Sequence, residues 1–465
     1  MKTYAPVTEA VLDALKTIVG AEYVLTEPEK LEQYQTDEET DPRKFHLPEA
    51  VVLPKDAQEI AAVIKLANTY DVPVTVRSGG TSLAGGAIPV CGGIVLLMER
   101  LNKIIELNAE GMYMEVEAGV RTVDIQKYAN EAGFLYAGDP CSAESCLIGG
   151  NIATNAGGNK AVRYGVTRDQ VYAVEVVTPT GEIVELGARL KKKSTGYCLE
   201  QLIMGSEGTL GIITKATLKL LPLCPYKLDL LAIFTDLDKA VGLVPNLIKA
   251  GLNPTSVEFM DNAFVRSSSD YCELKLPHYE DGFYVIVTVE TFNEDELESK
   301  MEQLDEICSA SGATDVLEAD DRVWKLRRNC LESTRVLSLV STSDDLVVPV
   351  DQIANCIRHL TKVAENYNFK LFTLAHAGDG NLHFQILKGE MSDEQWEDEV
   401  SRFHAEAYPY VYSLGGRLSG EHGIGAKKVE AMEKYTEPVE MKMMKEIKRA
   451  LDPKNILNPG KVFNA

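Results

Sequence analysis

The stretch VRSGGTSLAGGA, residues 76 to 87, places four glycines in a loop directly after the apolar segment PVTV at 73 to 76. Glycine allows close backbone approach and positive φ, so successive N–H groups can form a nest around a phosphate. The loop is not a P-loop, because the Lys-Ser/Thr ending is absent. Pro89 and Cys91 also follow where a Rossmann helix would begin. Taken alone, the stretch is equally consistent with a purely structural loop.

The neighbouring sequence supports a larger ligand than one phosphate. Upstream, EAVVLP and the amphipathic segment DAQEIAAVIKLANTY predict a strand and a helix, and with PVTV they form a βαβ-like unit. Downstream lie two more glycine clusters, GDPCSAESCLIGGNIATNAGGNKAVRYG at 138 to 165 and GSEGTLGIITKATLKLLP at 205 to 222. Three such clusters indicate close backbone approach along an extended ligand, which suits a dinucleotide.

After the proline-containing segment PLCPYKL the pattern changes. Apolar segments (LDLLAIF, GFYVIVTVE, LFTLAH) alternate with acidic amphipathic ones (DELESKMEQLDEICSAS, SDEQWEDEVSRFHAEAY). Strands that alternate with helices in this way predict an antiparallel sheet covered by helices, in an α+β fold.

Two motifs in the second half of the chain carry metal-ligating residue types. HAGDGNLH, residues 376 to 383, predicts two strands joined by the turn AGDGNL, and opposed positions of such a hairpin have Cβ atoms about 5 Å apart. GEHGIG, residues 420 to 425, adds a carboxylate and a histidine between glycines. Two imidazoles and one carboxylate can bind a divalent metal and leave positions open for a substrate. The alternative for the first motif is a pair of hydrogen-bonded histidines that flank a turn.

Composition narrows the function further. The 465 residues include 47 Lys and Arg against 70 Asp and Glu, so the net charge is 47 − 70 = −23, which argues against a nucleic-acid partner. No apolar stretch approaches the roughly 18 to 20 residues of a membrane span, and the amino terminus does not have the pattern of a signal peptide. We therefore expect a cytoplasmic protein without a transmembrane segment.

The nine cysteines are scattered, which suits unpaired thiols in a reducing compartment. Cys141 and Cys146 have the spacing of the first two ligands of one iron–sulfur pattern, but a third ligand is missing. Electrons handled by this chain would therefore leave through another cofactor.

Together, RSGGTSLAGG, GGNIATNAGG with the following RYG, GSEGTLGI and the terminal NPGK resemble the FAD-binding flavoproteins of the vanillyl-alcohol oxidase and p-cresol methylhydroxylase (PCMH) type. HAGDGNLH and GEHGIG narrow the resemblance to the FAD-dependent D-lactate, D-2-hydroxyacid and glycolate dehydrogenases. The resemblance implies a two-part PCMH-type FAD-binding domain over 47–222 and an α+β substrate (cap) domain with an antiparallel sheet over 223–415. An N-terminal helical segment, 1–46, precedes them, and a C-terminal segment, 416–465, returns to the flavin.

The same resemblance implies which residues contact FAD. The predicted pyrophosphate nest consists of Arg77, Ser78, Gly79, Gly80, Thr81 and Ser82. Further flavin contacts are expected from Pro140, Gly149, Gly150, Ala153, Asn155, Gly157, Glu207, Ile212 and Lys461. Because no histidine lies between His46 and His278, a histidyl-flavin bond within the FAD domain is ruled out, and we expect non-covalent FAD.

For the metal, the resemblance implies that His376, His383 and Glu421 are ligands and that His422 is the catalytic base. Zinc, iron(II) and manganese all suit these donors. As a mechanistic hypothesis, a 2-hydroxy acid chelates the metal, His422 removes the hydroxyl proton, and the Cα hydride passes to the flavin.

The segment WKLRRNC, residues 324 to 330, resembles the family segment that bears an arginine for the substrate carboxylate. Arg327 is the first candidate and Arg328 the second, while a helix-surface arginine is the structural alternative. Leu331 and Ser343 fall where dicarboxylate-acting relatives carry a threonine and a lysine. This departure favours a small monocarboxylate such as lactate or glycolate.

The resulting hypothesis is an FAD- and metal-dependent dehydrogenase that oxidises a small D-2-hydroxy acid, first of all D-lactate, to the 2-oxo acid. Its electrons would pass to an electron-transfer flavoprotein or another electron-accepting subunit, with an NAD-coupled, electron-bifurcating complex as a further hypothesis. The alternatives are a glycolate or D-2-hydroxyglutarate dehydrogenase subunit, a noncatalytic flavin-carrying relay subunit, and a non-redox flavoprotein of the alkylglycerone-phosphate synthase type.

Overall fold

A computed structural model of the chain describes residues 2–465 and divides it into two compact units. The first unit contains the residues up to Gly157 together with Val166–Leu223 and Glu421–Ala465. The second contains Gly158–Gly165 and Cys224–Gly420. Both combine helices with sheets, so the predicted α+β class is confirmed.

The strands of the described chain, in chain order, are β1 Val24–Leu25, β2 Ala50–Val52, β3 Val74–Arg77, β4 Ile94–Leu97, β5 Ile104–Asn108, β6 Tyr113–Glu117, β7 Phe134–Leu135, β8 Val171–Val177, β9 Ile183–Gly187, β10 Ile212–Lys219, β11 Leu221–Pro222, β12 Tyr226–Phe234, β13 Ser256–Met260, β14 Phe283–Thr291, β15 Asp315–Glu318, β16 Ser341–Val347, β17 Lys370–His376 and β18 Asn381–Leu387.

The α-helices, in the same order, are α1 Glu9–Val19, α2 Pro28–Leu31, α3 Ala57–Tyr70, α4 Thr122–Glu131, α5 Ile148–Thr154, α6 Ala161–Tyr164, α7 Leu199–Ile203, α8 Leu237–Lys249, α9 Asn262–Tyr271, α10 Glu294–Ala310, α11 Asp321–Arg328, α12 Cys330–Leu337, α13 Ile353–Ala364, α14 Asp393–Ser413, α15 Val429–Tyr435 and α16 Pro438–Leu451. None of these helices has the length and the apolar run needed to cross a bilayer.

The first unit contains a four-stranded sheet of order β1-β2-β4-β3 and a five-stranded sheet of order β5-β6-β10-β8-β9. Helix α3 begins where the Asp56 carboxylate accepts the Glu59 N–H at 2.9 Å and caps the helix. Strands β2 and β3, which flank this helix in the chain, both pair in parallel with β4. The βαβ-like unit thereby ends at the first glycine-rich loop.

The carboxy-terminal segment of the first unit returns to that loop. Val74 donates to the Ile456 carbonyl at 2.9 Å, and Asn458 donates to the Val74 carbonyl at 2.8 Å. The Asn458 side-chain oxygen also accepts the Val76 N–H at 2.8 Å. Residues after α16 are therefore tied along β3, the strand that delivers the chain to the loop.

The second unit is built on a seven-stranded antiparallel sheet of order β15-β12-β14-β13-β17-β18-β16. Its long central strands and acidic helices lie where the alternating apolar and acidic segments predict them. The short piece with α6 also belongs to this unit. Arg163 donates from Nη1 to the Thr255 hydroxyl at 2.9 Å, and the Tyr164 hydroxyl donates to Glu290 at 3.0 Å.

Candidate active site

The two histidines of HAGDGNLH lie on the two strands of the β17–β18 hairpin in the second unit. His376 is the last residue of β17, and His383 lies within β18. Register places His376 opposite Asn381 and His383 opposite Leu374, so the two imidazoles are diagonal neighbours. The expectation that they oppose each other directly is wrong, because β18 already begins at Asn381 and the turn is shorter than AGDGNL. Their rings nevertheless lie 5.1 Å apart between centroids, at an interplanar angle of 89°. One ring nitrogen from each lies within 4.8 Å of the other.

A buried carboxylate from the neighbouring strand orients the first of these histidines. Glu258 in β13 pairs across the sheet with His376, and its Oε1 lies 2.7 Å from His376 Nδ1. An ionised carboxylate only accepts hydrogen bonds, so Nδ1 carries the proton and Nε2 is the ring nitrogen with a lone pair. This is the arrangement in which a carboxylate fixes the tautomer of a metal-ligating histidine.

The same carboxylate binds the arginine predicted to hold the substrate. Arg327 donates to Glu258 Oε2 from Nε at 3.0 Å and from Nη2 at 2.6 Å. Burial alone would raise the pKa of Glu258, but the adjacent His376 and Arg327 hold that pKa below its usual range. Arg327 is buried near the end of α11, whereas Arg328 is exposed. Arg327 thus lies in the hydrogen-bonded cluster that contains His376.

A second buried carboxylate, Asp345 in β16, lies on the other side of the hairpin. It is the cross-strand neighbour of His383, and its Oδ1 is 3.8 Å from His383 Nδ1. Oδ1 also accepts the Asn381 side-chain amide at 2.6 Å, while Oδ2 accepts the Ser419 hydroxyl at 2.6 Å and the Gly420 N–H at 3.0 Å. Asp345 therefore fixes both the hairpin and the chain immediately before the EH dipeptide.

The EH dipeptide itself belongs to the first unit. His422 Nε2 lies 3.7 Å from Glu421 Oε1, and both side chains are mostly buried. A methyl group on Gly157 would come within 2.6 Å of Glu421 Oε2. The predicted metal carboxylate is thus in close contact with a predicted flavin-contacting glycine.

Glu207, a predicted flavin contact, holds the residues that follow this dipeptide. Its Oε1 accepts the Ile424 N–H at 2.8 Å, and its Oε2 accepts the Gly425 N–H at 2.7 Å. The Asn458 side chain donates to the Glu207 carbonyl at 2.7 Å. Glu207 therefore connects the third glycine cluster with GEHGIG and with the carboxy-terminal segment.

The predicted pyrophosphate nest and the second glycine cluster meet in the first unit. A methyl group on Gly79 would lie 2.5 Å from the Ser145 carbonyl oxygen, and one on Gly150 would lie 3.0 Å from Ser78 Cβ.

Gly80 has φ +69°, and any side chain there would collide with the Arg77 guanidinium. Arg77 is held in turn by the Thr36 carbonyl, which accepts from Nη1 at 2.6 Å. Thr81 and Ser82 complete this loop, and the Ser82 hydroxyl accepts the N–H groups of two later loop residues.

The remaining predicted flavin residues are also in the first unit. Gly149 approaches Ala118 too closely for a side chain, and Asn155 ends α5 in the left-handed conformation with φ 54°. Pro140 is buried, Ala153 accepts the Glu207 N–H at 2.7 Å, and Ile212 begins β10. The Lys461 ammonium donates to the Ile88 carbonyl, and burial lowers its pKa to about 8.

Sequence reasoning missed Glu258 and Asp345. Each is a fully buried carboxylate in a short stretch that predicts a strand, SVEFM in one case and DDLVV in the other. A charge inside an apolar strand is itself a signal, because a buried charge needs partners. The partners of these two carboxylates lie 69 and 36 positions away in the sequence, and only the tertiary structure brings them close.

Comparison with known proteins identifies the protein family. Residues 48–187 match the FAD binding domain, and residues 227–462 match the C-terminal domain of FAD linked oxidases. The chain belongs to this family of FAD-linked oxidoreductases.

It is 36% identical to a D-lactate dehydrogenase of Anaerostipes hadrus over 99% of this chain and 98% of that protein. It is 35% identical to the glycolate oxidase subunit GlcD of Bacillus subtilis over 91% and 90% of the two chains. A D-2-hydroxyglutarate dehydrogenase of Stutzerimonas stutzeri is 32% identical over 98% and 99%.

Solved structures show the same fold. A crystal structure of p-cresol methylhydroxylase with substrate bound superimposes with a TM-score of 0.83 at 17% identity, covering 99% of this chain and 98% of that chain. An alkyldihydroxyacetonephosphate synthase gives a TM-score of 0.75 at 18% identity, covering 99% and 86%. The predicted p-cresol methylhydroxylase type of FAD-binding fold is thereby confirmed.

Proposed function

We propose that this protein is an FAD- and metal-dependent dehydrogenase that oxidises a small D-2-hydroxy acid, with D-lactate as the first choice, to the 2-oxo acid. The observation that carries the proposal is the buried Arg327–Glu258–His376 cluster beside His383. It combines a guanidinium that can bind a carboxylate with imidazoles that can bind a metal. The names of the relatives, which include dehydrogenases of lactate and of hydroxyglutarate, agree with a hydroxy acid.

The proposed metal ligands are His376, His383 and Glu421. The donor geometry of the histidines fits a metal, because His376 Nδ1 donates to Glu258 and its Nε2 is the coordinating atom. This bond also argues against a simple hydrogen-bonded histidine pair. Glu421 directly follows Gly420, whose N–H is held by Asp345, the cross-strand neighbour of His383. Zinc, iron(II) and manganese all suit two imidazoles and one carboxylate.

FAD is proposed to bind non-covalently along the three glycine clusters of the first unit. The clashes that side chains would cause at Gly79, Gly80 and Gly149 support backbone amides as the anion-binding groups there. Bound metal would supply Lewis-acid polarisation of the substrate hydroxyl, and bound FAD would supply a hydride acceptor.

The chain's own residues would do the remaining work. His422 is the proposed base for the hydroxyl proton, since histidine can accept a proton near neutral pH. Arg327 would bind the substrate carboxylate, since a planar guanidinium suits a planar carboxylate. Ser343 replaces the lysine of dicarboxylate-acting relatives and lies opposite Gln385 in the sheet, and Leu331 replaces their threonine. Neither of these two positions therefore offers a partner for a second carboxylate, which favours lactate or glycolate.

The proposed electron acceptor is an electron-transfer flavoprotein or another electron-accepting subunit, and an NAD-coupled, electron-bifurcating complex is the further form of this proposal. All nine cysteines are free thiols at scattered positions, which is not the arrangement of an iron–sulfur site. Free thiols also fit the reducing cytoplasm in which we place the protein.

The experiment that tests this proposal is an anaerobic titration of the purified flavoprotein with D- and L-lactate, glycolate and D-2-hydroxyglutarate. Bleaching of the flavin by D-lactate at the lowest concentration supports the proposal, whereas bleaching by hydroxyglutarate alone reassigns the substrate. A protein whose flavin no 2-hydroxy acid reduces, and which holds no divalent metal, would be the noncatalytic relay subunit instead.

A further inference from the structure

We propose that Glu258 is a positioning residue that sets the coordinating nitrogen of His376 and fixes Arg327 at the same time. This inference rests on the proposed function and deepens it, since it makes one buried carboxylate responsible for both metal affinity and substrate orientation. Glu258 lies on β13, one strand away from the hairpin with the two histidines.

The two oxygens of Glu258 have separate tasks. Oε1 accepts the proton of His376 Nδ1 at 2.7 Å, while Oε2 accepts from Arg327 Nε and Nη2 at 3.0 and 2.6 Å. Glu258 has no solvent exposure, and His376 and Arg327 have only 2% and 8%. A buried negative charge needs such partners, so the three groups stabilise one another as a unit.

The carboxylate also balances charge in this region. Without it, a buried guanidinium would lie next to an imidazole that is expected to bind a dication. Glu258 neutralises Arg327 and thereby removes a repulsion from the metal. An ion pair with a purely structural role would need only Glu258 and Arg327, and it would not require the imidazole of His376 as a third group.

The test is the substitution Glu258→Gln, which keeps the shape and removes the charge. A glutamine has only one acceptor oxygen. If that oxygen accepts from Arg327, the amide NH₂ faces His376 Nδ1 and forces the histidine proton onto Nε2, the coordinating atom. If the amide is flipped, its NH₂ faces the donors of Arg327. The first arrangement blocks the coordinating nitrogen and the second displaces Arg327. In both, His376 loses the negative charge that raises its basicity, so it becomes a weaker metal ligand.

The matched control is Asp344→Asn. Asp344 is also a buried carboxylate of the same sheet, and it is bound to His404 Nε2 at 2.7 Å and to the Tyr408 hydroxyl at 2.9 Å. It therefore provides a second buried carboxylate–histidine pair in the same sheet. His404 belongs to α14 and is not among the proposed ligands.

Metal-stripped flavoprotein is titrated with Zn²⁺ in competition with a chromophoric chelator, and folding is monitored by circular dichroism. We expect Glu258→Gln to weaken Zn²⁺ binding about 10- to 100-fold and to raise the KM for D-lactate. Asp344→Asn should bind Zn²⁺ like the wild type. Glu258→Asp, which retains an acceptor-only group but cannot reach both partners, should show an intermediate affinity, and it provides the measurement if the glutamine variant does not fold.

The outcomes separate the two proposals. Wild-type affinity for Zn²⁺ in a folded Glu258 variant would overturn the positioning role while leaving the proposed function intact. A wild-type protein that binds neither Zn²⁺ nor Mn²⁺ would overturn the proposed metal-dependent function and this inference with it.

Discussion

Gly79 shows how one missing side chain shapes the proposed flavin site. Its backbone approaches the Ser145 carbonyl so closely that a methyl group would lie 2.5 Å from that oxygen. We expect Gly79→Ala to displace the 138–147 loop and to weaken FAD binding about 5- to 150-fold, because overpacking a tight contact costs about 1–3 kcal/mol. The flavin-to-protein absorbance ratio after gel filtration measures the loss.

Gly242 provides the control for this substitution. It lies inside α8 with nothing within 4 Å of the position of a new methyl group. Gly242→Ala should therefore stabilise the helix by up to about 1 kcal/mol and leave the flavin content unchanged. Equal flavin content in both alanine variants would contradict the proposed role of the first glycine loop.

His422 is the residue on which the proposed proton transfer depends. His422→Ala should retain flavin but slow its reduction by D-lactate about 10²- to 10⁴-fold, the usual contribution of a general base. Stopped-flow absorbance under anaerobic conditions gives the rate. His46→Ala, at an exposed histidine of the same unit, should reduce at the wild-type rate. Near-normal reduction of the His422 variant would remove this histidine from the proposed role.

At the scale of elements, the sequence predicts the strands and helices that have a regular local pattern of apolar residues. The strands LDLLAIF and GFYVIVTVE and the acidic helices α10 and α14 follow from their apolar and amphipathic patterns. The diagonal placement of the two site histidines does not follow, because the register depends on where the turn closes. The assignment of 158–165 to the second unit could not be foreseen either, since it rests on contacts of Arg163 and Tyr164 with distant residues.

The amino-terminal end of α9 makes stability depend on pH. Asp261 caps this helix by accepting the Phe264 N–H at 2.8 Å, and it also accepts the Thr373 N–H at 2.6 Å. Removal from water raises its pKa to about 7, so the folded protein keeps the proton that the unfolded chain loses near pH 4. Its contribution to stability is complete below pH 4 and is lost as the pH rises to about 7.

Asp261→Asn removes this titration. The stability of the wild type relative to the variant should fall between about pH 4 and 7, by at most about 1.4 kcal/mol per pH unit, and then stay constant. Urea denaturation at several pH values measures it. Asp236→Asn, at the solvent-exposed cap of α8, serves as the control for loss of a cap. A difference between wild type and Asp261→Asn that does not change with pH would contradict the account.

At the scale of the whole molecule, the residues proposed for FAD and those proposed for the metal are divided between the two units. The predicted flavin residues and the proposed metal carboxylate Glu421 belong to the first, and His376, His383 and Arg327 belong to the second. The sequence motifs predict both groups, and the matched family spans both. Glu258 and Asp345 escaped prediction, because only the tertiary structure brings their partners within hydrogen-bond distance.

The central measurement is the anaerobic reduction of the flavin by D-lactate in three states of the protein. These are the protein before chelation, the protein after removal of the metal, and the protein after the metal has been added back. We predict that the metal-free protein retains its flavin, that D-lactate no longer bleaches it, and that one divalent ion per flavin restores the reaction. Bleaching that is unaffected by complete removal of the metal would contradict the proposed chemistry.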